Sequence, residues 1–163
     1  MHKKAVTFLA GAVLVVSSSV LAFAQTTTTT VTQSPTKVTK TVQHPDGTYT
    51  VIEYPAGKEV VLNLTPVAPL TTSKGVATIL RDDDGTRITL NVSDVPADVK
   101  AINLYAVDDA GAVTSLGPVV LANGTGKFTG TTPLNKFMLI AAPDEAITVY
   151  NPETRVFFRS AVP

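Results

Sequence analysis

From residue 58 onward the chain alternates apolar and polar positions in short runs. Val60, Leu62 and Leu64 fall on one side of a strand, with Glu59 and Asn63 on the other. Ile88, Leu90 and Val92 do the same against Arg87, Thr89 and Asn91. A period of two with one polar side predicts strands of a sheet that keeps one face wet. The same reading predicts strands at 58–64, 75–81, 86–92, 101–107, 113–116, 118–121, 136–141, 147–150 and 155–159. In 101–107 it sets Ile102 and Leu104 against Asn103 and Tyr105 on the wet side. Phe137, Met138, Leu139 and Ile140 are consecutive, which predicts a central strand covered on both faces. No segment holds helical spacing over three turns.

Turn signals separate these runs. Asp82-Asp83-Asp84-Gly85, Asp108-Asp109-Ala110-Gly111, Asn123-Gly124-Thr125-Gly126 and Asn151-Pro152-Glu153-Thr154 each combine residues that bond their own backbone or accept a left-handed conformation. Residues 93–99, with Pro96, read as a connection, and 123–130 as a flexible hairpin tip. Val and Thr dominate the body, and Cβ branching suits a pleated surface. The sum predicts an all-β domain over 58–163, an antiparallel immunoglobulin-like β-sandwich of about 100 residues. An open barrel is the alternative, since strand number alone does not separate the two.

Ahead of this domain the pattern divides in three. Residues 1–24 have a basic start at His2, Lys3 and Lys4, an apolar run from Ala5 to Val16, and the small residues Ala22 and Ala24. This predicts a signal peptide cleaved before Gln25. Its apolar core is shorter than the ~20 residues of a membrane-spanning helix, so an uncleaved anchor is the lesser reading. Residues 25–36 are Thr-rich and predict a flexible linker, either a plain tail or a tether or O-glycosylated stalk. Residues 37–57 alternate on either side of His44-Pro45-Asp46-Gly47 and predict a β-hairpin. With so little apolar mass, the hairpin must pack on the domain or project as a ribbon.

Composition narrows the chemistry. The 163 residues hold 13 basic and 13 acidic side chains, without a basic cluster, which argues against nucleic acid as a partner. There is no cysteine, so a disulfide framework, a thiolate metal site and a cysteine nucleophile are excluded. His44 is the single histidine beyond the signal peptide, and its turn context predicts an exposed residue rather than a general base. The segment Asn123–Gly130 superficially resembles a phosphate loop. Leu121 and Phe128 stand where that motif needs Gly and Ser or Thr. The aspartates of 82–84 and 108–109 lack the spacing of a calcium loop. Glu53, Glu59, Glu145 and Glu153 show no aromatic platform around them, which weakens a glycosidase reading. The triplets at Asn63, Asn91 and Asn123 match the N-glycosylation pattern and matter only in a eukaryotic secretory host. No catalytic residue, metal ligand or cofactor is expected. Arg155 and Arg159 flank Phe157 on one side of the last strand; if that strand is an edge, the three form a partner contact. The competing expectation is that Phe157 packs beneath the ribbon.

Residues 76–142 carry an alternating hairpin, Val92-Ser93-Asp94-Val95-Pro96, Leu104-Tyr105-Ala106-Val107, a turn glycine at Gly111, and Leu116-Gly117. This run resembles the extracytoplasmic sandwich domain of anti-sigma-K-type factors. That family typically has Leu-Pro where this chain has Val95-Pro96, and a tryptophan after its tyrosine. The resemblance implies a sandwich fold and an exported location. It does not extend to sigma-factor binding, because the cytoplasmic segment that performs it has no counterpart here.

The expectation is an exported, periplasmic or extracellular, non-catalytic bacterial module that binds a protein or envelope polymer and does not insert in the membrane once its signal is removed. A structural element assembled by strand exchange through the ribbon comes next, and a small carboxylate-based hydrolase last.

Overall fold

The computed structural model describes residues 29–34, 37–44, 47–143, 146–151 and 153–160. The segment 1–24 expected to be a signal peptide, linker residues 25–28, Pro35 and Thr36, Pro45, Asp46, Asp144, Glu145, Pro152 and the last three residues lie outside that set. Every regular element among the described residues is a strand: β1 (Thr29–Ser34), β2 (Lys37–His44), β3 (Gly47–Glu53), β4 (Glu59–Pro66), β5 (Lys74–Asp82), β6 (Gly85–Ser93), β7 (Asn103–Val107), β8 (Val113–Pro118), β9 (Val120–Ala122), β10 (Thr125–Thr132), β11 (Lys136–Ala142) and β12 (Phe158–Ser160). All pairings between them are antiparallel.

The strands follow a path that returns almost to its start. β11 pairs with β12, then come β4, β5, β6, β10 and β9 in order. On its other flank β11 pairs with β7, and β7 with β8. β8 and β9 are nearly one strand, interrupted at Val119, whose N–H donates to Ile102 O at 2.8 Å. The antiparallel sheet is therefore nearly closed. The inward positions match the alternation: Val60, Leu62 and Leu64 of β4, Ala77 and Ile79 of β5, and Ile88, Leu90 and Val92 of β6 are buried together. Tyr54, Phe137, Phe157 and Phe158 belong to this core, with the Tyr54 and Phe137 rings tilted against each other at 4.7 Å between centroids.

A second apolar cluster lies on the opposite face of β7 and β11. Tyr105 and Val107, and Met138, Ile140 and Ala142, meet Tyr49 and Val51 of β3 and Val156 near the chain end. The hairpin therefore packs on the domain, as one of the two expectations for it held. β11 is covered on both faces, as its unbroken apolar run predicts. β7 is also buried throughout, so Asn103 and Tyr105 do not face water as expected. The reason is tertiary: Tyr49 and Val51 of the hairpin, with Ile147, Tyr150 and Val156, lie over a face that alternation marks as open.

Three further expectations change. Residues 29–34 of the supposed flexible linker form β1, paired along its length with β2. Backbone pairing satisfies a threonine strand without requiring a core of its own. The flexible tip at 123–130 is only a turn at its start; from Thr125 it becomes β10, an eight-residue strand between β6 and β9. Its glycines let neighbours come close. A Cβ on Gly126 would sit 2.6 Å from Val92 Cγ2 and 2.7 Å from Leu121 Cδ2. Finally, the strands expected at 147–150 and 155–159 shrink to a single bridge between Ala112 and Val149, and to β12. Turn chemistry is better matched: Gly85, Gly111 and Gly124 all take positive φ, where glycine costs least.

Candidate functional site

The connection after β6 and the turn between β9 and β10 meet at one end of the sheet. Between them lies an open groove of about 350 Å³, lined by Val95, Pro96, Val99, Lys100, Leu121 and Asn123 among others. Val95, Val99 and Leu121 form its apolar floor and are continuous with the main core.

Hydrogen bonds hold both walls. Val95 N–H donates to Gly124 O at 2.9 Å and ties one wall to the other. Ser73 Oγ donates to Asp94 O at 2.7 Å, and Val99 N–H to Pro96 O at 3.1 Å. Thr125 Oγ1 donates to Ala122 O at 2.7 Å. Asp94 and Asn123, with φ of 58° and 50°, are the two non-glycine residues with positive φ among the described residues, and they enter the two walls. Asn and Asp tolerate this region better than other side chains, so a sharp reversal at each wall is achieved at modest strain.

The charged group at the groove is the exposed ammonium of Lys100, whose Nζ donates to Ala97 O at 2.7 Å. An apolar floor with a cation and an amide at the rim is suited to binding: it can bury a small apolar side chain and pair with an adjacent carbonyl or carboxylate. The alternation pattern does not reveal this site. Its walls lie in two separate irregular segments, and nothing local shows that they meet.

The residues proposed from the sequence for partner contact separate. Arg155 and Arg159 are exposed, but Phe157 is 3% exposed and belongs to the main core. The Arg155 guanidinium lies 5.9 Å from the centre of the Phe157 ring. Phe157 N–H donates to Ala141 O at 2.7 Å, and its carbonyl accepts from Val67 N–H at 2.8 Å. β12 lies between β11 and β4, so it is an interior strand rather than an edge. With Phe157 buried, the three residues do not make an aromatic surface patch. Phe157 packs in the main core, to which Ile52 and Tyr54 of the 37–57 segment also contribute.

The acidic turns bond their own backbone. Asp82 Oδ1 accepts from Asp84 N–H at 3.1 Å; Asp108 Oδ1 accepts from Ala110 N–H at 2.8 Å and Ala112 N–H at 2.9 Å. Asp109 pairs with Lys136 at 2.8 Å. Among the described residues no three His, Cys, Asp or Glu side chains gather as a metal site would require. Glu53, Glu59 and Glu153 are exposed, while Glu145 and the loop proline next to His44 are outside the described set. No helix among the described residues is long and apolar enough to cross a membrane.

No family model, curated protein or solved structure matches the chain.

Proposed function

We propose that this chain is a non-catalytic, exported binding module, an immunoglobulin-like β-sandwich in its finer architecture, that takes a protein or polymer partner at the bacterial cell envelope or outside the cell. The observation that carries the reading is the groove between residues 95–100 and 121–124. It is open, apolar at its floor, polar at its rim, and braced by hydrogen bonds on a strand framework. Such a site binds by shape and burial. The resemblance of residues 76–142 to an extracytoplasmic domain agrees with an exported location.

The test is co-sedimentation with purified cell-wall polymer and capture from envelope extracts, using the wild type, Lys100→Glu and Leu121→Asp. Retention by the wild type, reduced in both variants and unchanged in Val149→Asp, supports the reading. Equal retention of all four proteins removes the groove from it. Turnover in a broad hydrolase screen would overturn the non-catalytic assignment.

A further inference from the structure

Closing a sheet removes its edges, and this one is nearly closed around its core: β8 and β9 meet at Val119, held to Ile102 by a backbone hydrogen bond. The ribbon restores an edge. β3 joins β11 through Glu53 and Ile52, β2 pairs with β3, and β1 pairs with β2. Among the described residues β1 has no second pairing partner, so the row of N–H and C=O groups on its far side is offered outward.

Natural edge strands usually discourage pairing with charged residues, proline or a bulge. Here Thr29-Thr30-Val31-Thr32-Gln33-Ser34 has none of these: it is uncharged, rich in β-branched residues, and in unbroken register with β2 over all six residues. The two lysines at positions 37 and 40 lie one strand further in. Two copies brought edge to edge therefore meet through neutral strands, with their lysines separated by two strands. An antiparallel pair of identical strands has two-fold symmetry, so the same surface serves both molecules and the contact closes after two. Threonine pairs across such a junction are favourable, and a ribbon with few strands gains from added ones.

We propose that β1 is a homotypic docking edge, through which two copies of this chain pair antiparallel and join their ribbons into one sheet. This rests on the reading of the chain as a binding module and names one of its partners, a second copy.

The test uses the protein in the form the cell produces, its N-terminus established by mass spectrometry. Light scattering across a wide concentration range should show a monomer–dimer equilibrium. Val31→Pro and the pair Thr30→Lys with Thr32→Lys should each abolish the dimer and leave the thermal midpoint of the domain unchanged. Because the chain lacks cysteine, a pyrene on Thr32→Cys reports proximity directly, and excimer emission should be absent from the same label on Thr129→Cys. A monomer at every concentration, a dimer that survives both variants, excimer from both labels, or processing beyond Ser34 would each overturn the proposal. The groove variants Lys100→Glu and Leu121→Asp should dimerise as the wild type does, so failure here and failure of the groove reading give different results.

Discussion

The hydroxyl of Tyr49, on β3, donates a hydrogen bond of 2.9 Å to the carbonyl oxygen of Asp108, 59 residues further along in the β7–β8 turn. The Tyr49 ring packs edge-on against Tyr150 at 5.4 Å. One side chain thus ties the ribbon to the domain and to the segment that precedes β12. Tyr49→Phe keeps the ring and loses the hydrogen bond, so a loss of about 1 kcal/mol is expected in denaturant unfolding at neutral pH.

The same tyrosine makes stability depend on alkaline pH. Burial, then the negative charges of Asp108 and Asp109, push its pKa from 10.0 to about 12, against a smaller opposing effect of a backbone hydrogen bond at Gly111. The unfolded chain releases this proton first, so the contribution is complete below pH 10.0 and is lost as pH rises towards about 12. Unfolding midpoints measured between those values should fall with pH, and Tyr49→Phe should make the fall shallower.

Tyr54 poses the opposite case. It is fully buried in the main core against Phe137, and its hydroxyl has no hydrogen-bond partner among the described residues. Burial raises its pKa strongly. A buried hydroxyl without a partner carries an uncompensated desolvation cost. Tyr54→Phe keeps the ring contact with Phe137 and removes that cost, so a gain of about 1 kcal/mol is expected. A loss of stability on this change would show that the hydroxyl is satisfied in solution.

Phe157 and Arg155 are neighbours with different roles. Phe157→Ala empties a core position and should cost about 3–5 kcal/mol in equilibrium unfolding. Arg155→Ala removes an exposed side chain and should stay within about 0.5 kcal/mol of wild type. Similar, small effects for both would return Phe157 to the surface.

Gly126 lies where β10 leaves no room for a side chain. An added methyl group would lie 2.6 Å from Val92, 2.7 Å from Leu121 and 2.9 Å from Val119. Gly126→Ala should therefore cost about 1–3 kcal/mol by overpacking. Since Leu121 also lines the groove, the variant should alter amide shifts at Val95 and Val99 in a two-dimensional NMR spectrum as well as the unfolding midpoint.

Local pattern was sufficient for β4, β5, β6 and β11, and for the glycine turns between strands, because burial on one face, burial on both and positive φ each leave a mark within a few residues. β10 left a faint one. Phe128 is its single large apolar residue, and its glycines resemble a loop until their close packing is seen. The candidate groove left none, since its walls come from segments that are irregular and separate.

By itself the sequence determined that the chain builds strands and where most of them turn, through the two-residue period and the residues that tolerate left-handed backbone. Tertiary structure decided which faces stay wet. Tyr49 and Val51 of the ribbon, with Ile147, Tyr150 and Val156, cover the outer side of β7 and β11, burying Tyr105 and Met138. It also decided that β12 runs between β4 and β11, so that Phe157 became core. Burial depends on what comes to lie against a strand, and the period of a strand records only the faces it offers.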